Sequence, residues 1–277
     1  MESVDKNKAV PKIVTVHSIE RLAPEMVRLV LTGDDLDLMP ELPWTDHYVK
    51  LFFPPEGADY GHPVDPEHIR QTRPREQWPV TRTYTIRKFD PEERLLTLDC
   101  VVHDNGLAGR WMTQVQPGDQ VSFRGPGGKW RPDPSASTLL LAGDEAALPA
   151  IARAMEEMPE STTPIVFCEV EDAEGEIEMP GPVTWVHRRG AEPGQALAHA
   201  VRCADLPETF DAFVHGVAEM VRDLRRFLFV ERGLPKDRVS ISGYWRIGMT
   251  EDMWQSTKKD FVAAMEAEER VHRAADA

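Results

Sequence analysis

Arg82-Thr83-Tyr84-Thr85-Ile86-Arg87 is the stretch on which the reading of this chain turns. Bulky, β-branched and cationic residues alternate with period two. The hexapeptide is therefore expected as a strand with Arg82, Tyr84 and Ile86 on one face and Thr83, Thr85 and Arg87 on the other. Such a strand gathers a flat ring, a hydroxyl and guanidinium groups in a small space. A flavin dinucleotide asks for that set: a ring beside the isoalloxazine, a hydroxyl near its redox-active nitrogen and a cation for the pyrophosphate. An ordinary barrel strand with surface arginines fits the six residues equally well, so the flanking sequence has to choose.

Strand-like runs lie on both sides, at 13–16, 27–31, 48–53, 95–102 and 121–123. With the hexapeptide they make about six strands punctuated by turns, which suits a small closed antiparallel barrel. Residues 54–79 interrupt them with Pro54, Pro55, Pro63, Pro66, Pro74 and Pro79, a long excursion of the kind that carries function or moves. A proline-rich connector at 131–135 marks a change of grammar. Beyond it, apolar runs at 139–142, 165–168, 183–186, 210–214 and 239–242 alternate with helix-length segments, notably 147–157, 218 to about 232, and 250 to the end. That alternation predicts a parallel sheet covered by helices. The expected architecture is α+β with two domains: an antiparallel six-stranded β-barrel over 10–134, then an α/β parallel-sheet nucleotide-binding domain over 137–277.

The 277 residues suffice for two domains, and no apolar run nears the roughly 20 residues that span a bilayer. The polar start Met1-Glu2-Ser3-Val4-Asp5-Lys6 lacks a secretory apolar core, so a cytoplasmic protein is expected. Cys100, Cys168 and Cys203 are widely spaced and read as reduced core thiols, not as a metal or disulfide frame. A net charge of −15 argues against nucleic-acid binding and requires any anionic substrate to find a local basic pocket. The cluster around Arg222–Arg226 is most simply the solvated face of a helix.

Three further stretches carry chemistry. His103-Asp104-Asn105-Gly106-Leu107-Ala108-Gly109-Arg110-Trp111-Met112 follows a strand and enters a short helix, and its small residues let backbone amides approach a pyrophosphate. Ala142-Gly143-Asp144-Glu145-Ala146-Ala147-Leu148-Pro149 joins a parallel strand to a helix, the place where open α/β sheets bind ligands; its plainer role is a helix N-cap with an acidic first turn. Gly243-Tyr244-Trp245-Arg246-Ile247-Gly248 puts two aromatics and a cation at a strand end, more than core packing readily explains. Gly125-Pro126-Gly127-Gly128-Lys129-Trp130 could line a pocket.

Taken together, these motifs resemble the siderophore-interacting protein family, FAD-dependent ferric-siderophore reductases allied to ferredoxin-NADP reductases. The resemblance covers nearly the whole chain and also rests on Asp46-His47-Tyr48-Val49-Lys50-Leu51 and on the segment 224–234. It implies that Arg82, Tyr84, Thr85 and Arg87 hold FAD, with Tyr84 against the isoalloxazine and Thr85 near N5. His103, Ala108, Gly109 and Trp111 would shape the pyrophosphate and adenine side. Gly143, Asp144 and Glu145 would lie near NADH or NADPH, with reduced ferredoxin as a further candidate donor. Lys50 and Arg246 would supply the positive charge of an open ferric-siderophore pocket, with Arg124 or Lys129 standing in for the arginine usual at Gly127. The chain departs from the family pattern at Leu107, where proline is usual, at Gly109 (serine), Ala146 (threonine), Gly127 (arginine) and Val217 (glutamate). The changes at 146 and 217 leave the electron donor open.

On this reading FAD passes single electrons to ferric iron, and no side chain acts as acid, base, nucleophile or metal ligand. Two alternatives stand beside it: an NAD(P)H:flavin or ferredoxin-type reductase with another acceptor, and a siderophore-binding carrier with a degenerate donor domain. Arg188 and Arg189 could meet a 2′-phosphate, although a solvated surface pair is the simpler account. The charged amphipathic segment 250–277 could cover the donor side or join another subunit.

Overall fold

The computed structural model describes residues 10–102 and 106–275. The chain divides into two compact units after Arg131.

The first unit is a closed antiparallel barrel of six strands in the order β1-β2-β5-β4-β3-β6. They are β1 (Lys12–Ala23), β2 (Met26–Thr32), β3 (Tyr48–Phe53), β4 (Val80–Asp90), β5 (Leu95–Val101) and β6 (Gln120–Gly127). Closure leaves no sheet edge. Alternation does the rest: Val14, Leu29, Leu31, Val49, Leu51, Ile86, Leu96, Leu98 and Phe123 fill the interior. The hexapeptide is part of β4, as its period-two pattern predicts. β1 runs seven residues beyond the apolar run at 13–16, because polar residues that pair with β2 extend it where hydrophobicity alone gives no signal.

The excursion at 54–79 is built, not loose. It holds α1 (Pro66–Thr72), whose N-cap Asp65 accepts hydrogen bonds from the Glu67 and His68 amides. A satellite core of Phe52, Val64 and Ile69, with Tyr60 and Trp78 against it, seats the excursion on the barrel. After β5 comes α2 (Leu107–Gln114).

The second unit is a five-stranded sheet in the order β11-β10-β7-β8-β9, with every pairing parallel. Its strands are β7 (Thr138–Gly143), β8 (Thr163–Val170), β9 (Thr184–His187), β10 (Asp211–Val217) and β11 (Val239–Trp245). The helices are α3 (Leu148–Glu157), α4 (Gln195–Cys203), α5 (Ala218–Arg226) and α6 (Glu251–Ala275). α4 has no counterpart in the sequence reading; its apolar face is only Leu197, Ala198 and Val201, too short to stand out in the loop sequence around it.

The helix expected from 218 to about 232 changes character at Phe227, where a π-helical turn takes over through Glu231. Arg225 is not part of a solvated face. Its side chain is 9 % exposed and meets Glu269 of α6, 7 % exposed, at 2.6 Å, while its guanidinium lies over Phe229. Cys100 and Cys168 are buried as expected, whereas Cys203 is exposed at the end of α4.

Candidate functional site

In the barrel, β3 pairs with β4 so that Arg82 stands opposite Leu51 and Tyr84 opposite Val49, while Thr83 faces Lys50 and Thr85 faces Tyr48. Residues directly opposite share a face. Leu51 and Val49 are fully buried, so Arg82 and Tyr84 belong to the inward row, and Tyr84 packs against the core. Thr83, Thr85, Lys50 and Tyr48 form the outward row. β6 continues it, with Arg124 opposite Lys50 and Gly127 opposite Tyr48. A bulge between Ile86 and Lys88 makes Arg87 the extra residue of β4.

These residues fit a flavin dinucleotide. The half-buried Arg82 guanidinium donates to the Thr81 carbonyl at 2.8 Å and forms no ion pair among the described residues. A half-buried cation without a counter-charge among the described residues suits a pyrophosphate. α2 packs against β4 and begins at Gly106, whose φ of 92° is closed to most L side chains. Ala108 and Met112 anchor that helix inward, Gly109 is half-buried, and Trp111 meets Phe53 edge-on with centroids 5.4 Å apart. His103 lies outside the described residues. Arg87 sits 3.9 Å from Asp99, whose side chain is 1 % exposed; the same carboxylate takes two hydrogen bonds from Arg28, at 2.7 and 2.9 Å. Asp99 is the residue sequence reading passes over. The strand pairing sets Arg28 opposite Asp99, and Arg87 reaches the same carboxylate from the bulge in β4.

The basic residues divide. Lys50 makes no hydrogen bond or ion pair among the described residues and is half-buried. Lys129 is exposed, and its amide is held by Asp46 at 2.8 Å. Arg124 is committed elsewhere, pairing with Asp65 at 2.8 Å and Glu67 at 3.1 Å. With Ser122, whose hydroxyl accepts from the Val64 amide and pairs with His62, it staples the excursion to β6.

In the second unit, Gly143 ends β7 where a Cβ would come within 2.4 Å of the Ala147 Cβ and 2.7 Å of the His215 carbonyl oxygen. Asp144 is fully buried and accepts from the Ala146 amide (3.0 Å), the Val217 amide (2.7 Å) and the Trp245 indole (2.8 Å). It is no N-cap; that position belongs to Ala147, with no side-chain cap at all. Burial lifts its carboxyl from 3.8 to about 6. Glu145, lifted by burial and then by the Asp144 charge to about 7, meets Arg188 at 2.6 Å. Arg188 also binds Glu171 at 2.9 Å with its own side chain 11 % exposed, so it is an internal counter-ion and not a solvated surface residue. Arg189 is exposed.

The aromatics of 243–248 have partners inside this unit. Trp245 serves Asp144, and Tyr244 meets His215 edge-on at 4.9 Å. His215 is stacked on Phe213, and burial pushes it down to about 3, so it is neutral. Arg246 lies over Phe261 and 3.3 Å from Glu219.

Comparison with known proteins assigns both units to one family. Residues 15–130 match the siderophore-interacting FAD-binding domain and residues 136–248 match the siderophore-interacting protein model. The chain belongs to the siderophore-interacting protein family. It is 37 % identical over 268 residues to an uncharacterized protein of Mycobacterium tuberculosis, covering 90 % of this chain and 95 % of that one. With the ferric vibriobactin reductase ViuB of Vibrio cholerae the identity is 30 %, over 92 % of this chain and 97 % of the relative. A crystal structure of a siderophore utilization protein from T. fusca superposes with a TM-score of 0.75 at 35 % identity, covering 87 % of this chain and 95 % of that one. The family member described here is an FAD-dependent oxidoreductase of ferredoxin-reductase-like fold. No helix among the described residues is long and apolar enough to cross a membrane.

Proposed function

We propose that this family member is a cytoplasmic reductase of ferric siderophores that releases their iron as Fe(II), with electrons from NADH or NADPH reaching the iron through FAD. The observation that carries the reading is the Lys50 ammonium on the outward row, one strand from Thr83 and Thr85 and without a hydrogen bond or ion pair among the described residues. In a chain of net charge −15, an uncompensated cation beside a flavin-binding strand gives an anionic ferric chelate a reason to approach that strand. The relationship to a ferric vibriobactin reductase supports the same acceptor class.

FAD, when bound, supplies the conversion of a two-electron hydride into single-electron transfers, one per ferric ion. The chain's residues bind and orient. Arg82 pairs with the pyrophosphate, Arg87 adds charge from the bulge, Tyr84 offers its ring and Thr85 its hydroxyl, and Ala108, Gly109 and Trp111 line the same cofactor's other end. Lys50 and Lys129 attract the chelate. Arg124 acts indirectly, by fixing the excursion, and Arg246 adds charge in the second unit. Release then follows from coordination chemistry, since hard oxygen donors hold Fe(III) far better than Fe(II).

The second unit favours keeping reduced ferredoxin as an alternative donor. A dinucleotide is expected at the crevice where chain order reverses, between β7 and β10, and there the Ala146 and Val217 amides are already taken by Asp144.

Three measurements test the proposal. Purified protein is titrated with FAD, and the flavin is then reduced anaerobically with NADH, NADPH or reduced ferredoxin. Fe(II) production from ferric siderophores is followed with a ferrous-specific chelator. Lys50→Ala should raise the apparent KM for an anionic chelate roughly fivefold, as expected for loss of about 1 kcal/mol from one half-exposed charge contact, while leaving FAD bound. Failure to bind FAD, or faster reduction of free flavin than of any ferric chelate, overturns the reading.

A further inference from the structure

The outward row of the barrel holds an aromatic side chain that the charge-based account does not use. Tyr48 stands between Thr85 of β4 and Gly127 of β6, two residues from Lys50 on the same strand and therefore on the same face. Its ring lies on the backbone of Gly127. A Cβ built on Gly127 would fall 2.3 Å from the ring carbon Cζ and 2.5 Å from the phenol oxygen. Nothing about the local backbone asks for glycine here, because Gly127, unlike Gly125 and Gly128, has no positive φ. What a side chain here would displace is the outer end of the Tyr48 ring.

The surroundings fix the ring's base. The Gly127 carbonyl is held by His47 Nδ1 at 2.7 Å. Asp46 Oδ1 accepts from the Lys129 and Trp130 amides at 2.8 Å each. A Cβ on Gly128 would meet the Asp46 carbonyl at 2.8 Å. Residues 46–48 and 127–130 thus form one small scaffold that presents a half-buried phenol. Burial, and then the Asp46 charge, raise the phenol's pKa above its ordinary value, so Tyr48 is a neutral flat surface and not an anion.

We propose that Tyr48 selects the acceptor: it packs against an aryl ring of the ferric chelate beside Lys50, so the site prefers chelates whose iron-binding groups carry aromatic rings. The inference rests on the ferric-chelate reading above and deepens it. Lys50 sets the response to charge and Tyr48 the response to shape, and the two are separable.

The probe is a pair of neutral ferric complexes that differ only in the ring, ferric tris-benzohydroxamate and ferric tris-acetohydroxamate. Binding to the oxidised, FAD-loaded protein is read by quenching of tryptophan fluorescence, independently of turnover. An aromatic contact at a half-exposed site gives about a 3- to 10-fold preference for the benzo complex. Tyr48→Ala should abolish that preference and Tyr48→Phe keep it, whereas Lys50→Ala should leave it intact while weakening an anionic complex such as ferric EDTA. Gly127→Ala keeps the tyrosine but forces the flexible end of its side chain away, and so should also erase the preference. That variant guards against the possibility that Tyr48→Ala merely misfolds. Equal binding of the two complexes by the wild type, or a preference that survives both Tyr48→Ala and Gly127→Ala, overturns this inference alone. Absence of binding by any ferric complex overturns it together with the reading on which it rests.

Discussion

Replacing Asp99 with alanine should both loosen the barrel and weaken its hold on FAD. The Asp99 side chain is 1 % exposed, with bidentate hydrogen bonds from Arg28 and Arg87 at 3.9 Å. Removing it sets two guanidinium groups side by side without their shared anion. Breaking a fully buried pair costs about 3–5 kcal/mol. Here Arg28 is 32 % exposed and Arg87 18 %, so water recovers part of that loss, and about 2 kcal/mol is the expected net destabilisation. At about 2–4 °C per kcal/mol for a protein of this size, thermal unfolding should begin 4–8 °C earlier. Asp99→Asn keeps one acceptor and should cost about half as much. If Arg87 takes part in FAD binding, loss of its Asp99 contact should also raise the FAD dissociation constant about five- to tenfold, measured by titrating the apoprotein with FAD. Differential scanning calorimetry on the apoprotein separates the two effects. An Asp99→Ala protein that melts with the wild type would refute the structural argument. One that melts early but binds FAD normally would remove Arg87 from the cofactor site.

Two other outcomes follow from the second unit. Asp144 and Glu145 have carboxyls raised to about 6 and about 7 in the folded state, so folding takes up protons there. Their contribution to stability is fully present below about pH 4 and is lost as pH climbs through 6 to 7. The stability of wild type minus that of Asp144→Asn, from urea midpoints, should therefore fall between pH 5 and pH 7.5; a rise would contradict the assignment. Glu269→Ala strands Arg225 in the interior and should cost about 3–5 kcal/mol. Hydrogen exchange along α6 should speed up, and the double change Arg225→Met with Glu269→Leu should restore much of the loss. Unaltered exchange in α6 would show that the pair does not hold that helix.

Much of this was legible in the sequence because two periodicities differ so plainly. The alternation of Arg82–Arg87 and its neighbours yields β4 and the barrel, and the apolar runs after 137 yield the parallel sheet. The obscure parts are those where partners lie far apart in the chain. Arg124 looks like a pocket cation until Asp65 and Glu67 are seen folded onto it, and Arg188 looks solvated until Glu145 and Glu171 close on it. Arg225 likewise reads as surface because its counter-ion is 44 positions away. Tyr48 and Gly127 could be named from sequence, but their dependence on each other is a matter of strand register.

The three donors to Asp144 come from residues 146, 217 and 245. A ribosome that has released only part of the second unit has therefore made an acid whose last ligand is still unborn. Until Trp245 emerges, Asp144 at the tip of β7 lacks one of its three donors.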